Sequence, residues 1–555
     1  MPSELDQRYD AVLAAVTGPG GRIVVGTDAK GCKVVTNLPA TLPAFFRTFC
    51  ALNAAVEAVI AGEERLTFAD LDRWSERLAK ALVSRHGVRK GDRVGIAMRN
   101  CPTWIVAHMA ILKAGGISTL LNGWWQASEA QHALELTAPR LIIADEPRAR
   151  RIEAGCGEIG LLSVAIERPI GEALAPLLGE EDEGVTLPEI GPDDDATILF
   201  TSGSTGDAKG ALSTHRAVTM GVYTYATSLM TLLGVLESLG DGPKNPPKTL
   251  LNVPLFHVTG EVPVLLNSFV IGRGMVLMPK WDAGEALRLI AQEKITYFVG
   301  VPTMSLELMN HPDRDRYDLS TLTDIAAGGA PRPVAHVERL KESFETAQPA
   351  LGYGLTETNA VGCGNYWGNY LAKPASTGRA LPYTEVAILD DGGQQLPRGE
   401  RGEVGIRAAA NIKGYWRNPQ ATAAAFTADG FFRTGDIGYL DEDGYLFIVD
   451  RKKDIIIRGG ENISSAEVEA AVYACEAVAE AAVFGAPDER LGEVPVAVVL
   501  PAEGTDLSED ELRAFLAPRL AAFKVPERFI FADENLPRLG TGKIDRVALK
   551  AQYAA

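Results

Sequence analysis

A short apolar run, Ala196-Thr-Ile-Leu-Phe200, leads directly into Thr201-Ser-Gly-Ser-Thr-Gly-Asp-Ala-Lys-Gly, and this junction constrains the fold more than any other segment. A strand that empties into a glycine-rich turn is an α/β feature. Gly203 and Gly206 let the backbone turn tightly with its N–H groups exposed, while the hydroxyls of Thr201, Ser202, Ser204 and Thr205 and the charge of Lys209 add donors. Such a loop suits polyphosphate. No Gly-Lys-Ser/Thr closes it, so it is not a Walker loop. Composition alone would equally describe a flexible glycine–serine linker, so the rest of the chain must decide.

The flanking patterns extend the α/β reading. Leu71-Asp-Arg-Trp-Ser-Glu-Arg-Leu-Ala-Lys-Ala-Leu has helical spacing, Lys90-Gly-Asp is a turn, and Arg93-Val-Gly-Ile-Ala-Met is strand-like. At 555 residues the chain exceeds what one core organises, so two or more domains are expected. An acidic stretch, Gly179 to Asp195, and a Pro-rich one, Gly240 to Lys248, read as a solvated connector and a surface loop. The charged run in Asp450-Arg-Lys-Lys-Asp-Ile-Ile-Ile-Arg-Gly-Gly places a domain boundary near 450. Beyond it, Ala466-Glu-Val-Glu-Ala-Ala-Val reads as a helix and Pro495-Val-Ala-Val-Val-Leu as a strand of a small α+β domain.

A net charge of −18 disfavours nucleic acid and anionic membrane surfaces, so a phosphate ligand must meet local positive groups. The six scattered cysteines form no C-x-x-C pair and read as reduced thiols. The acidic segment Met1-Pro-Ser-Glu-Leu-Asp-Gln-Arg is unlike a signal peptide, and the most apolar span, Val262 to Met278, is interrupted by Pro263, Asn267 and Arg273. A cytoplasmic protein without a transmembrane segment is the expectation.

Further candidates follow in order: Pro254-Leu-Phe-His257-Val, Gly328-Gly329-Ala330-Pro, Tyr353-Gly-Leu-Thr356-Glu357, Arg433-Thr-Gly-Asp436, Asp450-Arg451-Lys-Lys453-Asp, Gly459-Gly460-Glu-Asn-Ile and Pro537-Arg-Leu-Gly-Thr-Gly-Lys543-Ile. Each alone has an ordinary structural explanation, such as a capping Thr-Glu or a solvated charge run. Together, from about residue 66 onward, they resemble the adenylate-forming superfamily of acyl-CoA synthetases, beetle luciferases and peptide-synthetase adenylation domains, in its fatty-acid–CoA ligase type.

That resemblance implies a large N-terminal domain, 1–450, of layered α/β subdomains plus a small β-barrel, and a small mobile C-terminal domain, 451–555. It implies that Thr201 to Gly206 and Lys209 hold phosphates, that Gly328, Gly329 and Ala330 line the adenine and acyl pockets, and that Tyr353 flanks adenine. Thr356 would contact phosphate, Glu357 and Thr201 would serve Mg²⁺, and His257 would border the acyl pocket. Asp436 and Arg451 would bind ribose, Lys453 would be the pivot, Gly459 and Gly460 would help form the CoA tunnel, and Lys543 would bridge the attacking carboxylate and the α-phosphate.

The chemistry needs such parts, because an anion must attack an anion and fixed positive charge must offset the repulsion. The seven histidines show no paired metal-ligand spacing and no G-x-S-x-G elbow is present, so the metal is expected to arrive with ATP. The co-substrates implied are ATP, Mg²⁺, CoA and a carboxylic acid. Pocket candidates His257, Thr259, Val299, Gly300, Gly328, Gly352 and Val361 are small or apolar and favour an uncharged tail, with fatty acids first and aryl acids such as cinnamates or benzoates second. An amino-acid-activating module, a luciferase-like oxygenase and a catalytically silent nucleotide-binding regulator are the rivals. Assembly is not legible, and a homodimer stays open.

Overall fold

The computed structural model describes every residue except 1, 180–183, 202–207, 330–331, 453, 459–460, 540–542 and 554–555. Two large sheets form the N-terminal part. The first runs Gly414–Tyr415, Gly210–Thr214, Asp195–Phe200, Ile117–Leu120, Arg93–Ala97, Leu141–Asp145 and Gly160–Val164, parallel from Asp195–Phe200 outward and antiparallel at the other end. The second has nine strands, with a parallel centre of Gln348–Gly354, Asp324–Gly328, Tyr297–Gly300, Lys248–Leu251 and Gly274–Leu277. Parallel strands need crossover connections, which explains why helical and strand-like patterns alternate along the sequence.

The sheets face each other across helices with no solvated side. Pro102–Lys113 is buried at every position and shares one apolar cluster with Val94 and Ile96 of the first sheet and Val59, Leu251 and Met275 of the second. Helix Phe68–Ser84 starts at a reciprocal capping box between Thr67 and Asp70 and turns Leu71, Leu78 and Leu82 inward. Helix His215–Ser238 is long and apolar enough to cross a membrane, but 72% of its apolar window is buried inside the fold. The most apolar sequence span, Val262 to Met278, is a π-helix at Gly260–Leu266, a short helix at Asn267–Ile271 and the strand Gly274–Leu277.

The expected small β-barrel is a four-stranded antiparallel sheet, Glu385–Leu389, Gly402–Arg407, Phe432–Leu440 and Leu446–Arg451. Among the described residues no pairing joins its outer strands, and four strands are too few to wrap a side-chain-filled interior. Its last strand ends at Arg451. The C-terminal sheet begins at Ile456–Arg458 and is built on the long hairpin Val478–Asp488 with Gly492–Pro501, covered by helices Ser465–Tyr473, Glu509–Leu516 and Arg546–Tyr553.

Phe269 lies at the centre of an aromatic group, 5.3 Å from Phe46 and 5.2 Å from Phe68 between ring centroids, and is fully buried. Phe269→Ala should cost about 3–5 kcal/mol in reversible denaturation. A loss below about 1 kcal/mol would show that this group does not carry the packing between the helices.

Candidate functional site

The ends of strands Asp324–Gly328 and Gln348–Gly354 open on a cleft of about 2280 Å³ between the N- and C-terminal parts. Ligands in α/β sheets sit at this carboxyl edge of the strands. Four local constructions place the candidate side chains there.

The first is the phosphate-loop base. Thr201 N–H donates to the Lys209 carbonyl at 3.0 Å, which holds the two ends of the glycine-rich segment together, and both residues line the cleft. Ser202, Gly203, Ser204, Thr205 and Gly206 lie outside the described residues, as do Ala330, Lys453, Gly459 and Gly460.

The second surrounds Glu357. Thr356–Thr358 form a 3₁₀ turn, followed by Asn359 and Ala360 with φ of +48° and +65°. Two successive non-glycine residues in the left-handed region are costly and need outside support. Asn359 supplies it by donating to the Ala410 carbonyl at 2.6 Å and to Ser213 Oγ at 3.0 Å. The Ile412 N–H then donates to the Glu357 carbonyl at 2.9 Å, and Tyr415 Oη donates to Glu357 Oε1 at 2.8 Å. Lys209 Nζ lies 5.1 Å from the centre of the same Tyr415 ring. Tyr415 thus joins the metal-candidate carboxylate to the phosphate-candidate lysine, a role that the motif reading missed. Burial raises the Glu357 carboxyl, opposed by the Tyr415 bond and by Lys209 and Arg451, so a cation beside it would be stabilised.

The third is the pairing of Asp436 with Arg451, which are register partners in adjacent strands. Tyr353 Oη donates to Asp436 Oδ2 at 2.7 Å, and Arg451 Nε approaches Oδ1 at 3.3 Å. Gly435, at φ +73°, sits at an irregularity within the strand Phe432–Leu440 just before Asp436, and its carbonyl accepts from Lys452 N–H at 2.8 Å. Burial pushes the Asp436 carboxyl up, against the pull of Arg451 and Lys543.

The fourth is Lys543, carried on a hairpin closed by Leu539 N–H to the Lys543 carbonyl at 2.8 Å and Asp545 N–H to the Pro537 carbonyl at 2.7 Å. Its side chain lies over Gly329. A Cβ built there would stand 3.4 Å from Lys543 Cε and 3.7 Å from Nζ, and Gly329 also holds φ +76°. Burial, then Arg451, lower the Lys543 amine to about 8, with Asp436 opposing.

His257 lines the same cleft, and its carbonyl accepts from Gly260 and Glu261 N–H at the start of the π-helix. Gly260 is required there, since a Cβ would meet the Pro254 carbonyl oxygen at 2.1 Å. Burial and Lys543 hold the imidazole down at about 3, hence neutral. Thr259, Gly352, Tyr353, Thr356 and Glu357 also line the cleft. Gly328 instead pairs with Gly352 at the strand ends, and Val299 and Val361 are buried in the main apolar cluster. Gly300 packs toward Met304, within 2.9 Å of a built Cβ.

Cations at Lys209, Arg451 and Lys543 therefore converge with the buried Asp436 and the half-buried Glu357 at one cleft, a charge pattern suited to a nucleotide phosphate chain. Residues 46–416 match the AMP-binding enzyme family, and 467–543 match its C-terminal domain. The chain belongs to this family. It is 35% identical over 515 residues to a long-chain-fatty-acid–CoA ligase of Bacillus subtilis, covering 87% of this chain and 89% of that one. It is 36% identical over 498 residues to a feruloyl-CoA synthase of an Amycolatopsis species, covering 89% and 96%. A solved fatty acyl CoA synthetase of Mycobacterium tuberculosis superposes with a TM-score of 0.71 at 30% identity, covering 93% of this chain and 98% of that one.

An amine lowered to about 8 loses its charge as pH rises through 8, where an ordinary lysine stays charged to beyond 10. In the free protein, reductively ¹³C-methylated Lys543 should titrate near pH 8 by NMR, and lower still in Asp436→Asn. Titration above 10 would mean that the lysine does not occupy this buried position.

Proposed function

We infer that this protein is an AMP-forming acid–CoA ligase. The carboxylate of an organic acid attacks the α-phosphorus of ATP to give an acyl-adenylate and pyrophosphate, and the CoA thiol then attacks the adenylate carbonyl to release AMP and acyl-CoA. The single observation that carries the reading is Lys543, brought in from the C-terminal part over Gly329 and beside Asp436 and Arg451. No protein nucleophile is needed, because positioning and charge neutralisation supply the catalysis.

In this reading Lys209 and the 201–206 segment hold the β- and γ-phosphates, Tyr353 and the 328–330 segment flank adenine, and Asp436 and Arg451 take the ribose hydroxyls. Thr356 contacts the α-phosphate. Glu357, with Thr201, would hold the Mg²⁺ that accompanies ATP, and the ion would supply charge to offset the repulsion of the phosphates. Glu357 fits that task, since it is a half-buried carboxylate on the cleft that accepts from Tyr415, beside Lys209. Lys543 stabilises the negative charge that develops between carboxylate and phosphorus. A pivot at Lys453 then withdraws residues 451–555, and the 459–460 segment lines the path for pantetheine. ATP and CoA supply places the reaction in the cytoplasm.

For the acid, His257, Thr259 and Gly352 present a neutral wall, which favours an uncharged tail and, first, a fatty acid. One observation favours an aryl acid as the second reading. Tyr225 closes the space beneath Gly352, its hydroxyl 3.9 Å from a built Cβ and bonded to the Ala360 carbonyl at 2.6 Å, which suits a flat slot.

A panel of fatty and aryl acids, scored by CoA-dependent AMP release, tests the reading. Lys543→Ala should slow acid-dependent ATP–pyrophosphate exchange by about 10²-fold or more and leave thioester formation from preformed acyl-adenylate nearly intact. Equal losses in both assays would contradict the division of labour.

A further inference from the structure

The last strand of the four-stranded sheet is tied to the first helix of the C-terminal part by contacts that neither nucleotide binding nor the bond-making steps require. Asp450 is buried, at 4% exposure, and both of its carboxylate oxygens are engaged. Oδ1 accepts from Arg451 N–H at 2.7 Å, and Oδ2 accepts from Ser465 N–H at 2.5 Å, with Ser465 Oγ 3.3 Å from each oxygen. Beside it, Ser464 Oγ donates to the Val449 carbonyl at 2.7 Å while accepting from Glu467 N–H at 3.0 Å. The helix Ser465–Tyr473 therefore borrows part of its N-terminal capping from the neighbouring sheet, and a carboxylate at a helix N-terminus is a favourable charge arrangement.

Two serines and one aspartate in this arrangement bridge the point where the ligase reading puts the pivot. Asp450 precedes 453 and the serines follow it, so turning the chain there must break the bonds between them. Arg546 carries the consequence further. It pairs with Glu469 of the same helix and lies 3.7 Å from Asp454, three residues beyond Lys543. Helix, pivot flank and lysine hairpin are thus linked, and whatever holds the helix holds the lysine.

We propose that Asp450, Ser464 and Ser465 form a latch that keeps the C-terminal part in the arrangement with Lys543 inside. This rests on the ligase reading and makes Asp450 a positioning residue for adenylation alone. Its carboxylate oxygens are taken up by Arg451 and Ser465, and the contact raises the share of molecules in which the lysine is in place. Release exposes the carboxylate to water, which repays part of the lost bonds and keeps the latch reversible.

Ser465→Pro is the strongest test, and Asp450→Asn the milder one. Ser465 is the first helical residue, where proline is well tolerated, and Ser464 already has the extended backbone, φ −72° and ψ 119°, that a following proline demands. The change removes one N–H and one hydroxyl, and its ring carbon takes the place of the amide hydrogen that faces Asp450, so the contact is broken outright while the helix keeps a tolerated first residue. With the best acid of the panel, ATP–pyrophosphate exchange should fall about tenfold, as expected for loss of a charge-assisted bond. Thioester formation from synthetic acyl-adenylate should change less than twofold. Asp450→Asn should shift the same ratio in the same direction and answers the question if the proline variant loses its thermal transition. An unchanged ratio of the two half-reactions, whether both rates persist or both fall together, overturns the latch. Absence of exchange in the unaltered protein would instead count against the ligase reading.

Discussion

The structure depends on a lysine enclosed in the cleft between its two parts. Lys543 is drawn from a hairpin in the C-terminal part into a cleft whose other wall is glycine, and the cost of removing its charge from water is visible in an amine lowered to about 8. Asp436 offsets part of that cost, while Arg451 adds to it. A cation that is poorly satisfied by the protein alone is well placed to be satisfied by an incoming phosphate. The arrangement puts local positive charge into a chain whose net charge is −18.

The rest of the fold is the frame for that contact. Two sheets with buried faces open on the cleft at the carboxyl ends of their strands, and the four-stranded sheet delivers Asp436 and Arg451 side by side through its register. The short strand Gly414–Tyr415 pairs with Gly210–Thr214 and so sets Tyr415 between Glu357 and Lys209. Positioning by strand register is stiff, which suits a reaction whose catalysis is mainly the placing of charges.

Much of the site was legible because its residues sit where backbone chemistry restricts choice. Gly329 and Gly435 both hold a positive φ, and a charged residue beside such a glycine stands out in an apolar context. Tyr415 was hidden, because its place depends on pairing between distant segments that no local pattern encodes. The same holds for Ser464 and Ser465, whose contact with Asp450 joins a sheet strand to a helix of the next domain. The segment before Gly240 reads as helix-like and is the helix His215–Ser238, though its packing on most sides leaves no clear polar stripe to mark its buried face. The barrel expected from resemblance is an open sheet, since strand count and closure are properties of tertiary pairing.

The central claim is that a carboxylate oxygen bonds to the α-phosphorus of ATP. It is tested most directly with an acid carrying ¹⁸O in both carboxylate positions, turned over with ATP and CoA and analysed by mass spectrometry of the products. Attack on the α-phosphorus leaves the bridging oxygen on phosphorus when the thiol takes the acyl group, so AMP should gain one ¹⁸O and acyl-CoA retain the other. Label-free AMP, or label appearing in inorganic phosphate alongside ADP, would contradict the account.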